Sequence, residues 1–256
     1  MSPAEPLRVG VLSLARPTFD VPFAEQVCAD AWKLMEQIPV DWVGSGELLF
    51  DAESVESQLT KLKKKPIDLL LIMQLTFTDA TMTVKIAESF DVPLLFWSFP
   101  EKRTGGRLRL NSLCGVNLAA HALGKSGIQC DYINLSPNDP ETSEDLSSWI
   151  RAFQTRKNLS STKIAVIGKH PDGFHTCAFD SGKLKEISGV TVEQMELTDL
   201  FDEAEKIEQK TVNLIRSELD SKINGLELVE QEPLEKSIRI LSTLRKKAER
   251  EGYQGF

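Results

Sequence analysis

Short apolar runs alternate along this chain with longer segments in which apolar residues recur every three or four positions. The first run, from Leu7 to Leu14, is rich in leucine and valine and is typical of a buried strand. From Val21 to Ile38 the apolar residues follow the period of a helix with one buried face, and Asp20 is placed to cap its start. The pattern therefore predicts a strand followed by a helix that packs against it.

The same alternation continues as far as Ile133. Four more strands are predicted, at Val40–Val43, Ile67–Met73, Pro93–Trp97 and Gln129–Ile133. The helices predicted between them cover Asp51–Lys65, Asp79–Phe90 and Ser112–Lys125. Because strands joined by helical connections pair in parallel, we expect a flavodoxin-like or Rossmann-like α/β domain of three layers.

A change of domain is predicted after this first sheet. Ser136 to Glu144 is a polar turn segment with two prolines, and a helix predicted at Leu146–Arg156 carries the chain onward from it. We place the boundary after residue 158. Residues 1–158 then form an N-terminal flavodoxin-like domain, and residues 159–256 begin a second α/β domain.

The second domain is expected to be incomplete in this chain. Its predicted strands and helices lie at Lys163–Gly168, at Val190–Glu196, at two acidic helices between Thr198 and Leu219, and at Pro233–Glu251. A sheet of two parallel strands is too small to pack against three helices, so we expect the next strand of this sheet to follow Gly255.

Composition and charge narrow the possible functions. Apolar residues make up 41% of the chain and charged residues 27%, as in ordinary globular proteins, and 256 residues suffice for two domains with cores of their own. The formal net charge of -8, with no long block of like charge, argues against nucleic acid, whose phosphates need a basic face. We expect a small neutral or weakly charged molecule as the partner instead.

Cysteine spacing and hydropathy indicate the compartment. The four cysteines are far apart and never form a CxxC pair, so they are expected to be reduced thiols. No N-terminal stretch has the features of a secretory signal, and no apolar run reaches the roughly 18 residues that would span a bilayer. We therefore expect a cytoplasmic protein with no membrane partner.

Two loops at strand carboxyl ends carry candidate binding residues, because ligands of open parallel sheets bind at that edge. The first loop holds Arg16, whose guanidinium has five donors; the alternative is a surface arginine paired with Asp20. The second combines the amide of Gln74 and the ring of Phe77 with hydroxyls, a mixture that suits the polar groups and C–H face of a sugar. The alternative role for its hydroxyl and acidic residues is to cap the next helix.

A third loop, from Trp97 to Asn117, is rich in charge. It contains Trp97, Arg107 and Asn111 around the paired glycines Gly105 and Gly106, which indicates a mobile functional loop. The alternative is a phosphate site, since a glycine-rich turn before a helix offers free amides to an anion. Neither GxGxxG nor GxxxxGK[ST] is present, so a nucleotide-binding or flavin-binding domain is the least favoured interpretation.

A fourth loop follows the first predicted strand of the second domain. It contains His170, Asp172 and Phe174, and further on His175 and Cys177. These side chains are of metal-binding types, but their spacing fits no common site and no other region supplies a partner pair, so no metal site is predicted within the chain. The alternative is an Asp-Gly turn at the start of a domain.

Four segments together carry a resemblance to a known family. They are Arg16–Asp20, Gln74–Asp79, Arg103–Gly115 and His170–Phe174. These segments resemble the N-terminal part of the L-fucose and L-arabinose isomerase superfamily, in its shorter fucose isomerase-like branch. The resemblance covers Leu7 to Gly255, and the run RTGGRLRLNSLCG in the third segment is the most specific part of it.

The resemblance implies an aldose–ketose isomerase that works through an enediol, with a divalent cation, usually Mn²⁺, polarising the substrate oxygens. In the family the metal ligands and the acid–base carboxylate lie beyond the part matched here. This chain is therefore expected to be a fragment that contributes substrate contacts but neither catalytic residues nor metal ligands. The full-length protein is expected to be a homo-oligomer, a trimer or a hexamer.

Site residues follow from the same resemblance. Arg16 matches an arginine that reaches a neighbouring subunit's site, and His170 to Phe174 match an entrance loop of the second domain. The residues expected to bind a monosaccharide are Arg16, Gln74, Phe77, Trp97, Arg107, Asn111, His170, Asp172 and Phe174. The rival hypothesis is a noncatalytic sugar-binding or sensor module, because two α/β domains with a cleft between them also serve that purpose.

If the chain lacks the base and the metal ligands, it interconverts no aldose and ketose by itself, even with added manganese. The measurement is an isomerisation assay of pentoses and hexoses with manganese and, in parallel, with a chelator. Turnover of any of these sugars that the chelator abolishes would contradict the expectation.

Overall fold

A computed structural model, which describes residues 5–256, divides the chain into one unit that ends at Lys157 and another that begins at Asn158. The first unit is built on a parallel sheet of five strands in the order β2-β1-β3-β4-β5. The strands are β1 (Arg8–Leu14), β2 (Asp41–Leu49), β3 (Leu69–Gln74), β4 (Leu94–Ser98) and β5 (Asp131–Asn134). This is the flavodoxin order, so the predicted parallel α/β fold is confirmed.

Five helices cover the two faces of this sheet. They are α1 (Val21–Met35), α2 (Ala52–Leu62), α3 (Thr81–Glu88), α4 (Ser112–Lys125) and α5 (Thr142–Ser160), whose last turn belongs to the second unit. One apolar layer joins the sheet to α1 and α5, and another joins it to α2, α3 and α4. All residues of β3 and β4 are buried, as expected for strands that are covered on both faces.

Strand β2 is longer than the sequence predicted. The prediction ended at Val43, whereas the strand continues to Leu49 through Gly44 and Gly46, with a shift of register against β1 between Val11 and Ser13. A Cβ at Gly44 would lie only 2.5 Å from the carbonyl oxygen of Val11, so glycine permits the close approach there. Glycines and polar residues interrupt the apolar pattern that marks a buried strand. The prediction for this edge strand therefore ended too early.

The second unit contains a parallel pair of strands and four α-helices among the described residues. They are β6 (Lys163–Ile167), β7 (Thr191–Met195), α6 (Ser181–Ser188), α7 (Leu197–Glu205), α8 (Gln209–Asp220) and α9 (Gln231–Glu251). Helix α6 was not predicted, because it has no buried residue and hence no strong apolar period. Its ends do have local signals: Asp180 accepts from the N–H of Lys183, and Gly189 has a left-handed conformation.

Gly255 forms a parallel bridge with Ile164 of β6, and its carbonyl oxygen accepts from the N–H of Ala165 at 3.0 Å. The contact lies near the point where the sequence led us to expect a further strand. Across residues 5–256, no helix is both long enough and apolar enough to pass through a membrane.

Close packing joins the end of β3 to α4. Gln74 is wholly buried, and its amide nitrogen donates to the carbonyl oxygen of Thr76 at 2.7 Å and to Thr78 Oγ1 at 3.0 Å. A Cβ at Gly115 would lie 3.0 Å from three side-chain atoms of Gln74. Because two hydrogen bonds hold the amide in place, the side chain has little freedom to move away.

We expect Gly115→Ala to lower the free energy of unfolding by about 1–3 kcal/mol, the usual cost of overpacking a core. The matched control is Gly124→Ala in the same helix, where a Cβ would meet no heavy atom within 4 Å. The control should be neutral or stabilising by up to about 1 kcal/mol, because alanine favours a helix more than glycine does. All four tryptophans lie in the first unit, so denaturation followed by tryptophan fluorescence reports on it directly. Equal midpoints for both variants and the parent would contradict the packing argument.

Candidate functional site

Loops at the carboxyl ends of β1, β3 and β4 line a cleft of about 530 Å³ in the first unit. The lining residues are Arg16, Thr18, Phe19, Phe77, Arg107, Leu108 and Asn111. The structure thus brings together Arg16, Phe77, Arg107 and Asn111 from the predicted set. Thr18, Phe19 and Leu108 were not singled out, although each lies within or beside a segment that carries the family resemblance.

Arg16 stands at the rim of this cleft. Its backbone N–H donates to Thr76 Oγ1 at 2.7 Å, which attaches the loop after β1 to the loop after β3. The carboxylate of Asp79 lies 3.9 Å from its guanidinium, and these two side chains are 45% and 57% exposed. A pair this long and this solvated contributes little to stability, so the guanidinium remains available to a ligand. The alternative pairing with Asp20 is wrong, because Asp20 binds Arg109.

An aromatic pair forms one wall. The ring centroids of Phe19 and Phe77 lie 6.3 Å apart with an angle of 49° between the planes. The guanidinium carbon of Arg107 lies 4.8 Å from the centroid of Phe19, within cation–π distance. Within residues 5–256, no carboxylate oxygen comes within 4.0 Å of a guanidinium nitrogen of Arg107. The wall therefore presents apolar ring surface beside a cation without an acidic partner.

The carboxylate of Glu101 closes the base of the loop between β4 and α4. It accepts hydrogen bonds from three consecutive backbone amides, those of Arg109 at 2.6 Å, Leu110 at 3.0 Å and Asn111 at 2.7 Å. Asn111 has a φ of 52°, in the left-handed region, and immediately precedes α4. Glu101 therefore occupies three of the amides that precede α4, which argues against the phosphate alternative at these three positions.

Arg109 connects the loop after β4 to the loop after β1. Its Nε donates to Asp20 Oδ2 at 2.7 Å, and its guanidinium carbon lies 3.8 Å from the ring centroid of Phe23. The N–H of Phe23 donates to the other carboxylate oxygen of Asp20, which caps α1. The hydrogen bond from Arg109, and after it the one from Phe23, lowers the pKa of the Asp20 carboxyl below its ordinary value.

Two predicted site residues do not reach the cleft. Trp97 is wholly buried in the layer between the sheet and helices α1 and α5, and its indole N–H donates to the carbonyl oxygen of Leu135 at 3.0 Å. Gln74 is wholly buried too, and its side-chain oxygen has no hydrogen-bond partner in the described part of the chain. The prediction that Gln74 and Trp97 contact the sugar is therefore wrong. Their side chains are buried and hydrogen-bond to residues of the adjacent loops.

His170, Asp172 and Phe174 belong to the second unit, in the loop that follows β6. All three are exposed, and His170 Nδ1 lies 3.1 Å from the carbonyl oxygen of its neighbour Pro171. Arg16, Gln74 and His170 each lie at or just past a strand's carboxyl end, within their own sheets. Over residues 5–256, no group of three or more His, Cys, Asp or Glu side chains is arranged to hold a metal ion.

Residues 10–160 match the family described as fucose/sulfoquinovose isomerase, N-terminal domain. The chain belongs to this family. The matched stretch contains every element of the cleft, and the family recognised from the four sequence segments is confirmed.

Individual fucose/sulfoquinovose isomerase relatives agree with this assignment. The sulfoquinovose isomerase of Priestia aryabhattai is 30% identical over 197 residues, which cover 77% of this chain and 44% of that protein. The sulfoquinovose isomerase of Alkalicoccus urumqiensis is 29% identical over 204 residues, 80% of this chain and 46% of that protein. The one from Clostridium sp. (strain MSTE9) is 28% identical over 222 residues, 86% and 49% respectively. The chain spans about half the length of the curated relatives that it matches.

Replacing Arg109 with Ala should raise the pKa of the Asp20 carboxyl toward its ordinary value, but not fully, because the N–H of Phe23 remains as a donor. Since the folded-state pKa is lowered, the stabilisation is complete above the ordinary carboxyl pKa and is lost as pH falls through the folded-state value. An NMR titration of the side-chain carboxyl carbon of Asp20 measures the change. Arg151→Ala, which removes a surface partner of Glu144, is the control. An unchanged Asp20 pKa in Arg109→Ala would show that Arg109 does not act on it.

Proposed function

We propose that this chain supplies the sugar-binding wall of an aldose–ketose isomerase whose substrate carries an anionic group, with sulfoquinovose as the leading candidate. The observation that carries the proposal is the cleft whose lining combines the guanidinium groups of Arg16 and Arg107 with the paired rings of Phe19 and Phe77. The relatives are named for sulfoquinovose, which is glucose with a sulfonate in place of its terminal hydroxyl. Family membership supports the reaction class, and the two guanidinium groups support the anionic substrate.

Each part of such a sugar finds a suitable group in the cleft. A guanidinium donates several N–H groups in one plane, which suits the oxygens of a sulfonate. The faces of Phe19 and Phe77 suit the C–H surface of a pyranose or of its open chain. The amide of Asn111 and the hydroxyl of Thr18 are able to donate to sugar hydroxyls and accept from them. The net effect is to orient the substrate by its anionic end.

Isomerisation through an enediol also needs a base and an electrophile to stabilise the oxyanion, for which the complete enzyme would use Mn²⁺. The cleft contains neither a carboxylate nor an imidazole in its lining. The described residues do not fit a metal site, since they offer no cluster of three ligands. In this proposal the chain binds and orients the sugar, and other parts of the enzyme carry out proton transfer.

The complete enzyme is proposed to be a homo-oligomer, a trimer or a hexamer, as the family resemblance implies. Arg16 lies at the rim of the cleft with nearly half of its side chain exposed, a position from which it is able to reach a substrate shared with a neighbouring subunit. A noncatalytic sugar-binding module is the second candidate, and the absence of acid–base side chains from the cleft lining favours it.

The test is the affinity of the chain for sulfoquinovose compared with quinovose, which lacks the sulfonate. We expect tighter binding of sulfoquinovose, and we expect Arg107→Ala to weaken that binding about five- to thirtyfold while leaving quinovose almost unaffected. This corresponds to about 1–2 kcal/mol, the value of a charge-assisted hydrogen bond reduced for solvent screening. Arg16→Ala should act in the same direction with little change in melting temperature.

Ligand titrations by NMR supply the dissociation constants, and Arg151→Ala is the control arginine outside the cleft. Equal affinity for the two sugars would refute the anionic subsite. Binding of sulfoquinovose by an enzyme assembly that never converts it would favour the sugar-binding module.

A further inference from the structure

The loop between β4 and α4 has an unpacked tip. Residues 102–109 are all exposed, and a Cβ at Gly105 or Gly106 would meet no heavy atom within 4 Å. The tip carries Lys102, Arg103 and Arg107, and Arg109 follows closely. Packing therefore does not restrain the two glycines of the tip, and its basic side chains, with no acidic residue among them, repel one another most strongly at low ionic strength.

Glu101 is the only acidic residue between positions 101 and 111. Its carboxylate binds the amides of Arg109, Leu110 and Asn111, so it joins the beginning of the loop to its end. These amides precede α4, where the positive end of the helix dipole favours a negative group. One side chain thus closes the loop and offsets part of the repulsion within it.

The closed loop contributes three residues to the cleft. Arg107 and Leu108 lie inside the closure, and Asn111 is itself one of the amide donors. We expect opening at Glu101 to give the segment that carries Arg107 more freedom, so that its guanidinium no longer stays against the ring of Phe19. The position of the cation in the cleft therefore depends on a carboxylate that is not part of the cleft lining.

We propose that Glu101 is a positioning residue that sets the affinity of the cleft for an anionic sugar by holding the loop that carries Arg107. This inference rests on the proposed function for its ligand, but the closure of the loop can be tested without any ligand. The competing explanation is that Glu101 serves only as a cap that stabilises α4. A cap affects stability alone, whereas a positioning residue acts on binding through Arg107.

The principal variant is Glu101→Gln, which keeps the shape of the side chain but removes its charge and one acceptor oxygen. Glu101→Ala is the stronger variant, and Glu25→Gln on α1 is the control at an exposed carboxylate. Melting curves establish that each variant is folded. If Glu101→Ala fails to fold, Glu101→Gln alone is used to distinguish the positioning role from a purely stabilising cap.

The first measurement uses no sugar. Limited trypsin digestion should cut after Lys102, Arg103 or Arg107 about tenfold faster in Glu101→Gln than in the parent, because a weaker closure raises the population of the open loop. Exchange of the amide hydrogens of residues 109–111 should accelerate in parallel. Unchanged cleavage and exchange would overturn the proposal.

The second measurement is a double-mutant cycle with sulfoquinovose as the probe. Glu101→Gln should weaken binding by a factor close to that of Arg107→Ala, and the double variant should bind no more weakly than Arg107→Ala alone. Binding as tight as that of the parent, or effects that multiply in the double variant, would overturn the positioning role. If the parent binds no sulfoquinovose, the proposed function fails, and the digestion result then decides on Glu101 alone.

Discussion

Burial of the central strands on both faces is the constraint on which the first unit depends. Every residue of β3 and β4 is buried, with α1 and α5 on one side and α2, α3 and α4 on the other. A parallel sheet needs both faces covered, and helical connections supply the cover, so the loops that leave the parallel strands β1, β3 and β4 emerge at one edge. The cleft lies at that edge because the polar loops that follow neighbouring parallel strands all begin there.

The loops at this edge are joined mainly by backbone hydrogen bonds. Thr76 Oγ1 accepts from the N–H of Arg16, the N–H of Phe77 donates to the carbonyl oxygen of Leu110 at 2.8 Å, and the N–H of Asp20 donates to that of Arg109 at 3.1 Å. These contacts leave side chains free for other purposes. The arginines accordingly divide into two kinds: Arg109 is tied to a carboxylate and supports the structure, whereas Arg16 and Arg107 have only distant or no acidic partners and face the cleft.

The second unit has smaller apolar clusters than the first. Its described residues form two small apolar clusters, one between α8 and α9 and one between the two strands and helices α7 and α9. Ion pairs link the same helices, such as Lys247 with Glu203 and Arg245 with Glu218. Arg245, with Lys222, lowers the pKa of Glu218 to about 2. The loop after β6 is exposed, and among residues 5–256 it is not part of any group of three or more side chains arranged to hold a metal ion.

Local pattern was sufficient for much of this protein. The alternation of strand and helix periods predicted the parallel α/β fold, and four short segments, of which Arg103 to Gly115 is the most specific, predicted the family, because each signal depends on residues close together in the chain. Only the tertiary structure decided which side chains face the cleft. An apolar strand ending in Gln74 or Trp97 does not reveal that these residues point into the packed layers, since that depends on helices distant in sequence. The pairing of Asp20 with Arg109, 89 positions apart, likewise required the folded chain to bring two loops together.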